Sequence, residues 1–231
     1  MILYKTKLLF IHIPKCAGSS IEKAFNYIDD FEGYGVESFG PDHRPLRAFD
    51  PTPVTWEKIS TWENFTEVRR RRRTLKKINE NPVKNLQLTP EQFESYFKFT
   101  FVRNPWARAY SMYKHIMREE HKQKRYKMHK LPDMSFKTFL KAYCGKKDLQ
   151  PQLYWVNGFN RNSGLDFIGK FENLQEDFSY VCEQAGVPQI ELPHVYKGTG
   201  EDYRQHFDAE MIAWVETCYA EEIKLFEYSF E

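Results

Sequence analysis

The sequence predicts an α/β fold, a parallel sheet flanked by helices, on three observations. Leu8 to Ile13 and Phe97 to Val102 are near-continuous apolar runs, the pattern of strands buried on both faces. Each run is cut by a turn signal, Pro14 in one case and Arg103-Asn104-Pro105 in the other, and a helical periodicity follows at once. A third candidate strand, Asp166 to Phe171, leads in the same way into an amphipathic segment.

Taken in order, Gly18-Ser19-Ser20 opens a helix whose stripe Ile21, Ala24, Phe25, Ile28 follows i, i+3, i+4, i+7. Residues 29–55 are rich in Gly, Pro, Asp and aromatics and read as loop. Polar helical segments are expected around 56–80 and 90–97. After the second strand, Asn104 is an N-cap and Pro105 suits the first helical position of a helix running to about Glu120. A basic loop follows, then a short helix near Ser135–Tyr143. The helix at Leu174–Gln184 is stopped by Gly186 and Pro188. Asp208 caps one last amphipathic helix, with Ile212, Val215, Tyr219, Ile223 and Phe226 on or near one face. No internal repeat or linker interrupts the chain, so residues 1–231 read as a single domain.

Composition narrows the function classes. A chain of 231 residues with 19 Phe and 14 Tyr can bury a real core without metals or disulfides. The four cysteines, Cys16, Cys144, Cys182 and Cys218, form no C-x-x-C pair, which argues against a zinc site and for a reducing compartment. The opening apolar run is too short for a membrane span and lacks the features of a signal peptide, so with Met1 as the start the expectation is a cytoplasmic protein. The formal net charge of +2 is unevenly spread. Residues 172–231 carry 14 acids against 3 bases, a balance of −11, which leaves +13 on residues 1–171. An anionic ligand bound by the first three quarters of the chain would explain that asymmetry.

Two segments carry chemistry. In His12-Ile13-Pro14-Lys15-Cys16-Ala17-Gly18-Ser19-Ser20, a turn between a buried strand and a helix offers backbone N–H groups at the positive end of the helix dipole, an arrangement that binds phosphate. Gly18 permits close backbone approach, Ser19 and Ser20 add hydroxyls, and Lys15 adds a point charge. The lysine precedes the glycine, so this is not the G-x-x-x-x-G-K-[ST] loop of nucleoside triphosphatases. By itself the segment is equally an ordinary turn with a solvated lysine. The second segment, Phe99 to Tyr113, places Arg103 at a strand's carboxyl end, where open α/β sheets bind ligands, although a structural arginine would look the same.

Together, "F-I-H-I-P-K-C-A-G-S-S" and "F-V-R-N-P-W-A-R-A-Y-S-M-Y" resemble the two nucleotide motifs of the sulfotransferases that use 3′-phosphoadenosine 5′-phosphosulfate (PAPS), most closely the branch that modifies carbohydrates. Ile168-Gly169-Lys170-Phe171-Glu172-Asn173-Leu174 and Asp202-Tyr203-Arg204 extend the resemblance, while 56–96 and 118–150 match poorly. The resemblance implies a P-loop-like parallel sheet flanked by helices, PAPS as donor, adenosine 3′,5′-bisphosphate as product, and no metal. It implies that Lys15, Cys16, Ala17, Gly18, Ser19 and Ser20 form the 5′-phosphosulfate loop, with Lys15 also catalytic, and that Arg103 and Ser111 bind the 3′-phosphate. The family usually carries Thr or Ser and a second Gly where this chain has Cys16 and Ala17, and Ala107 replaces a frequent Asp. Neither departure removes a phosphate ligand. Nothing near Cys16 in sequence forms a Cys/His pair that would make it a nucleophile, so a packing role is expected.

Transfer to a hydroxyl needs a base, and histidine suits neutral pH. His43, in Gly40-Pro41-Asp42-His43-Arg44, resembles the family segment carrying the catalytic histidine, with a surface-loop histidine as the alternative. His12 reads as a satisfied core histidine, and His115, His121 and His129 as members of an exposed basic stretch. His194 and His206 are weaker candidates, and Glu22 is a carboxylate that could substitute as base.

Arg69 to Arg73, with Lys76 and Lys77, and the cluster Lys114, Arg118, Lys122, Lys124, Arg125, Lys127, Lys130 fall where the resemblance is poorest. Five consecutive arginines wrap a whole helix and make no single face, so the plain reading is solvated charge. An anionic carbohydrate acceptor would also account for both clusters. No nucleic-acid recognition module is visible, and the oligomeric state is not legible. The rival functions are a P-loop kinase acting on a small molecule, which would need Mg²⁺ and a triphosphate, and a non-catalytic polyanion-binding protein.

Overall fold

The fold comes from a computed structural model that describes residues 1–26, 43–51, 53, 55, 56, 59, 61, 62, 64–69, 87–159, 164–193 and 201–231. The loop 29–42, most of the helical segment expected around 56–80, Arg70 to Arg73, Lys76, Lys77 and His194 lie outside these residues. The chain forms two compact units. The first comprises Met1–Ile13, Ala17–Phe101 and Tyr154–Val195, and the second Pro14–Cys16, Val102–Leu153 and Tyr196–Glu231.

The first unit is built on the sheet. Among the described residues the strands run in the order β1 (Ile2–Leu3), β2 (Leu8–Ile11), β3 (Phe97–Val102), β4 (Phe167–Lys170). β2 and β3 are parallel, with Leu8 opposite Phe97 and Ile11 opposite Thr100. All four residues of β2 are buried, which is why it reads as an unbroken apolar run. Strand β2 stops at Ile11, two residues short of the expected end, while β3 has the expected bounds. The sheet is mostly parallel, not wholly so: β1 pairs antiparallel with β2, a strand of two residues that no periodicity could announce. Its pairing is sealed where the Met1 amine donates to the Phe10 carbonyl at 2.6 Å and Phe10 N–H to the Met1 carbonyl at 2.9 Å.

Helices α1 (Gly18–Asn26) and, later in the chain, Leu174–Ala185 cover one face of this sheet. The contact is aromatic: Phe10 stacks on Phe99 at 5.1 Å between ring centroids, Phe99 meets Phe25 at 6.1 Å, and Phe25 meets Phe178 at 5.3 Å. The Leu174–Ala185 helix ends at Gly186, in the left-handed conformation with φ 65°, as its sequence predicts. On β4, Gly169 lies beneath Phe101.

The second unit is helical. Asn104 caps α2 (Pro105–Met117), its side chain accepting from the Trp106 and Ala107 amides at 3.1 and 3.3 Å. The helix ends at Met117, earlier than expected, and a separate α3 (Glu120–Arg125) follows. Ser135 caps α4 (Phe136–Tyr143) and Asp208 caps Ala209–Cys218. Numbering onward with α5 for Leu174–Ala185 in the first unit, these last residues are α6, and Ala220–Phe226 are α7. The sequence predicts one helix where α6 and α7 stand. The break falls at Tyr219, whose buried hydroxyl donates to the Leu149 carbonyl at 2.5 Å and accepts from the Gly145 amide at 3.1 Å. A tertiary anchor therefore overrides a continuous apolar stripe. The core of this unit gathers Trp106, Ile116, Phe139, Leu140, Leu149 and Val215.

Among the described residues no helix is long and apolar enough to cross a membrane, and no group of three or more His, Cys, Asp or Glu side chains could hold a metal ion.

A Cβ at Gly169 would lie 2.6 Å from the Phe101 ring and 3.1 Å from Asp177 Cβ. Gly169→Ala is expected to destabilise the protein by about 1–3 kcal/mol through overpacking, measured by denaturant unfolding. An unchanged midpoint would mean that β4 and α5 separate freely.

Candidate functional site

The first motif is divided between the two units, Pro14–Cys16 counting with the second and Ala17 onward with the first. In the first unit, Gly18 is buried against His12: a Cβ there would lie 2.0 Å from His12 Nε2. This glycine is therefore required by an imidazole, a cause the sequence does not show. His12 is 3% exposed, and its Nδ1 meets Glu22 Oε1 at 2.8 Å with Glu22 6% exposed. It is the satisfied core histidine that the sequence suggests, and Glu22, the carboxylate considered as a substitute base, is its buried partner. At the first turn of α1, Ala17 carbonyl accepts from the Ser20 and Ile21 amides, while the Gly18 and Ser19 amides come too early in the helix to find an intrahelical acceptor. Ser19 and Ser20 are half-buried.

His43 is half-buried in the same unit. Its Nδ1 lies 3.2 Å from the His12 carbonyl, its ring stands edge-on to the His12 ring at 4.4 Å, and its own carbonyl accepts from Trp155 Nε1 at 3.2 Å. Donation from Nδ1–H to a carbonyl puts the basic lone pair on Nε2.

In the second unit the two motifs meet. Arg103 Nη1 donates to the Lys15 carbonyl at 3.2 Å. Burial, reinforced by the positive charges of Arg103, Lys122 and Arg118, pulls the Lys15 amine down to about 8. Ser111, His115 and Arg118 recur along α2 and its C-cap at i, i+4, i+7, on one face of the helix. His115 is half-buried, not exposed as expected. Burial first, then the charges of Lys15, Lys122 and Arg118 hold its imidazole down at about 4, against the pull of Glu119, so it is neutral at physiological pH.

The basic stretch around it is not one surface. Lys114 pairs with Glu201 at 3.4 Å, Lys124 with Glu120 at 2.7 Å and Arg125 with Asp148 at 3.5 Å. Arg118 and Lys122 are the members whose charge reaches Lys15. Of the first basic run only Arg69 is described, exposed and lying 5.9 Å from the centre of the Phe65 ring.

What holds the motif turns is a buried set of polar groups that sequence reasoning missed. Arg108, 1% exposed, donates from Nε to the Pro14 carbonyl at 3.1 Å, from Nη1 to Gln150 at 3.0 Å and from Nη2 to Asp148 at 2.8 Å. Gln152, fully buried, accepts at Oε1 from the Arg103 amide at 2.8 Å and from the Cys16 thiol at 3.3 Å. Its Nε2 donates to the Arg103 carbonyl at 2.9 Å and to Glu222 Oε1 at 3.0 Å, and its backbone N–H donates to Glu222 Oε2. Glu222 is also fully buried, and burial raises its carboxyl pKa while Arg108 opposes the rise. Cys16 is thus a hydrogen-bond donor as well as a packing residue. A signal was present for two of these: Glu222 falls beside the apolar row Tyr219, Ile223, Phe226, and Arg108 starts the row Met112, Ile116. Nothing in the sequence marks Gln152.

A model of the sulfotransferase family matches residues 1–229. The chain belongs to that family. Among its relatives are an uncharacterized protein of Archaeoglobus fulgidus, 30% identical over 113 residues that make up 49% of this chain and 87% of that protein, and carbohydrate sulfotransferase 14 of Danio rerio, 31% identical over 126 residues, 44% of this chain. Carbohydrate sulfotransferase 11 of Mus musculus is 25% identical over 192 residues, 67% of this chain. The matches span only 34% of the zebrafish protein and 52% of the mouse protein. A sulfotransferase crystal structure from Alicyclobacillus acidocaldarius is similar over 96% of this chain and 98% of its own, with 14% identity and a TM-score of 0.34.

Within this sulfotransferase the loop backbone is strained, since Lys15 and Ala17 both take positive φ, 70° and 63°. An L-residue pays about 1–2 kcal/mol for that conformation, and glycine does not. Ala17→Gly should stabilise the protein, by up to about 1 kcal/mol once the greater freedom of the unfolded chain is subtracted. Thermal unfolding checks this; a lowered melting temperature would contradict the strain.

Proposed function

We propose that this sulfotransferase moves a sulfuryl group from PAPS to a hydroxyl of a carbohydrate and releases adenosine 3′,5′-bisphosphate. The observation that carries this reading is the Arg103–Lys15 contact, in which the guanidinium of the second motif donates to the backbone carbonyl of the first motif's lysine at 3.2 Å. The carbohydrate as acceptor is suggested by the zebrafish and mouse relatives, both carbohydrate sulfotransferases by name. An anionic acceptor is consistent with Arg118 and Lys122 near Lys15 and with the arginine run that begins at Arg69.

PAPS supplies the transferable sulfuryl group. In the transfer the bond between sulfur and the 5′-phosphate oxygen breaks, a bond from sulfur to the acceptor oxygen forms, and the hydroxyl proton leaves to a base. The chain's part is to position the reactants and to stabilise charge on the leaving phosphate, as in phosphoryl transfer. The residues present fit a doubly phosphorylated nucleotide. In the second unit Lys15 suits the 5′ end and Arg103 with Ser111 the 3′-phosphate; in the first unit the opening turn of α1 at Gly18 and Ser19 is of the kind that binds phosphate. His43 is assigned as base, with the lone pair placed on Nε2 by the bond from Nδ1 to the His12 carbonyl.

Calorimetry with adenosine 3′,5′-bisphosphate, without Mg²⁺, tests the donor. The wild type should prefer it over adenosine 5′-monophosphate, and Arg103→Ala should lose that preference; no preference in the wild type would reject the donor. Only protonated Lys15 attracts the anion, and its amine loses the proton at about 8. Affinity should therefore be full at lower pH and fall as pH rises through that value, with proton uptake on binding near it. A flat profile between pH 7 and 9 would dissociate Lys15 from the nucleotide.

Two substitutions test the catalytic assignments. Lys15→Ala should lower turnover by about 10²–10³, the usual loss when one charge stabiliser is removed. His43→Ala should abolish sulfation of the acceptor and leave bisphosphate affinity intact, because a base touches the acceptor's proton and not the nucleotide. Retained turnover in folded His43→Ala would make this histidine a bystander.

A further inference from the structure

Gln152 occupies a position that packing alone does not demand. A fully buried carboxamide is costly unless its donors and acceptors are met, and here the groups that meet them come from both motif turns. Its Oε1 takes the Arg103 amide and the Cys16 thiol, and its Nε2 gives to the Arg103 carbonyl, so both backbone polar groups of Arg103 are held by one side chain. The far side is fastened in turn, since Glu222 receives both Nε2 and the backbone N–H of Gln152. The neighbouring segment is locked independently: Arg108 grips the Asp148 and Gln150 carbonyls, and Tyr219 grips Leu149. The carboxamide therefore sits on a rigid support and cannot follow a shift of Arg103 without breaking several bonds. A side chain needed only to fill this volume would be apolar.

We propose that Gln152, backed by Glu222, is a positioning residue of the donor site, fixing the Arg103 backbone against the Pro14–Cys16 turn so that the Arg103 guanidinium is presented to the 3′-phosphate. The inference rests on the donor assignment made above. Supporting hydrogen bonds behind metal-ligating side chains typically matter by about 10–100-fold in function, and a group behind a phosphate-binding arginine is expected to act on the same scale without touching the ligand. The distinction from a merely structural role is measurable. Loss of stability alone lowers the folded fraction and weakens every ligand equally, whereas misplacing Arg103 weakens recognition of the 3′-phosphate and spares the rest of the nucleotide.

The test is calorimetry on the full chain with Gln152→Met, which keeps side-chain length and removes the carboxamide, at a temperature where circular dichroism shows it folded. The readout is the affinity ratio of adenosine 3′,5′-bisphosphate to adenosine 5′-monophosphate. It should fall by roughly tenfold or more from the wild-type ratio, toward that of Arg103→Ala. Should Gln152→Met fail to fold, Glu222→Gln is the deciding variant: it keeps shape, removes one of the two acceptors behind Gln152, and should reduce the ratio in the same direction by a smaller factor. A folded variant with the wild-type ratio overturns the proposal. A wild type that shows no preference for the bisphosphate refutes the donor assignment instead, so the two failures are told apart.

Discussion

The Arg103 guanidinium of one motif is held on the Lys15 carbonyl of the other, from a distant part of the chain, and the second unit is organised around that contact. Burial, and after it the positive charge of Arg103, lowers the pKa of Lys15. Nothing about either turn would keep them together alone. The restraint comes from neutral and charged groups acting on the backbone: Arg108 on Pro14, Arg103 on the Lys15 carbonyl, and Gln152 on both Arg103 and Cys16. Buried polar groups are expensive unless every partner is met, and once met they specify one arrangement over its competitors. Arg108 and Glu222 illustrate the cost and its relief, a buried cation and a buried carboxyl that offset each other's charge while spending their hydrogen bonds on the chain.

The same economy appears in the first unit. His12 could have been an apolar residue in a buried turn, yet it binds Glu22 with its ring and His43 with its carbonyl, and it leaves room for nothing larger than glycine at position 18. The orientation of His43 is thus set by the His12 backbone carbonyl and by the buried His12 ring, itself hydrogen-bonded to Glu22. Both units place a functional candidate on a short irregular segment and then immobilise that segment from behind.

Much of the fold was legible in the sequence, for identifiable reasons. β2 is buried throughout and β3 from Lys98 to Val102, so their apolar runs announce them, and β3 has the expected limits. Caps at Asn104, Ser135 and Asp208 and the stop at Gly186 are local chemistry and fall where local chemistry puts them. β1 was illegible because two residues carry no period, and the break at Tyr219 because its cause is a hydroxyl bonded to residues about seventy positions away. His115 was misread as exposed because its spacing looks like that of its charged neighbours.

The sequence by itself determined the fold class and the family, and it singled out the motif residues as candidates, because strand periodicity, turn chemistry and the two motifs are all written locally. Only the tertiary structure decided what holds those residues: Gln152 and Glu222 behind Arg103, Arg108 beneath Pro14, and His12 against Gly18. These contacts join residues that lie up to about a hundred positions apart, and a hydrogen bond leaves no mark on the sequence around either of its ends.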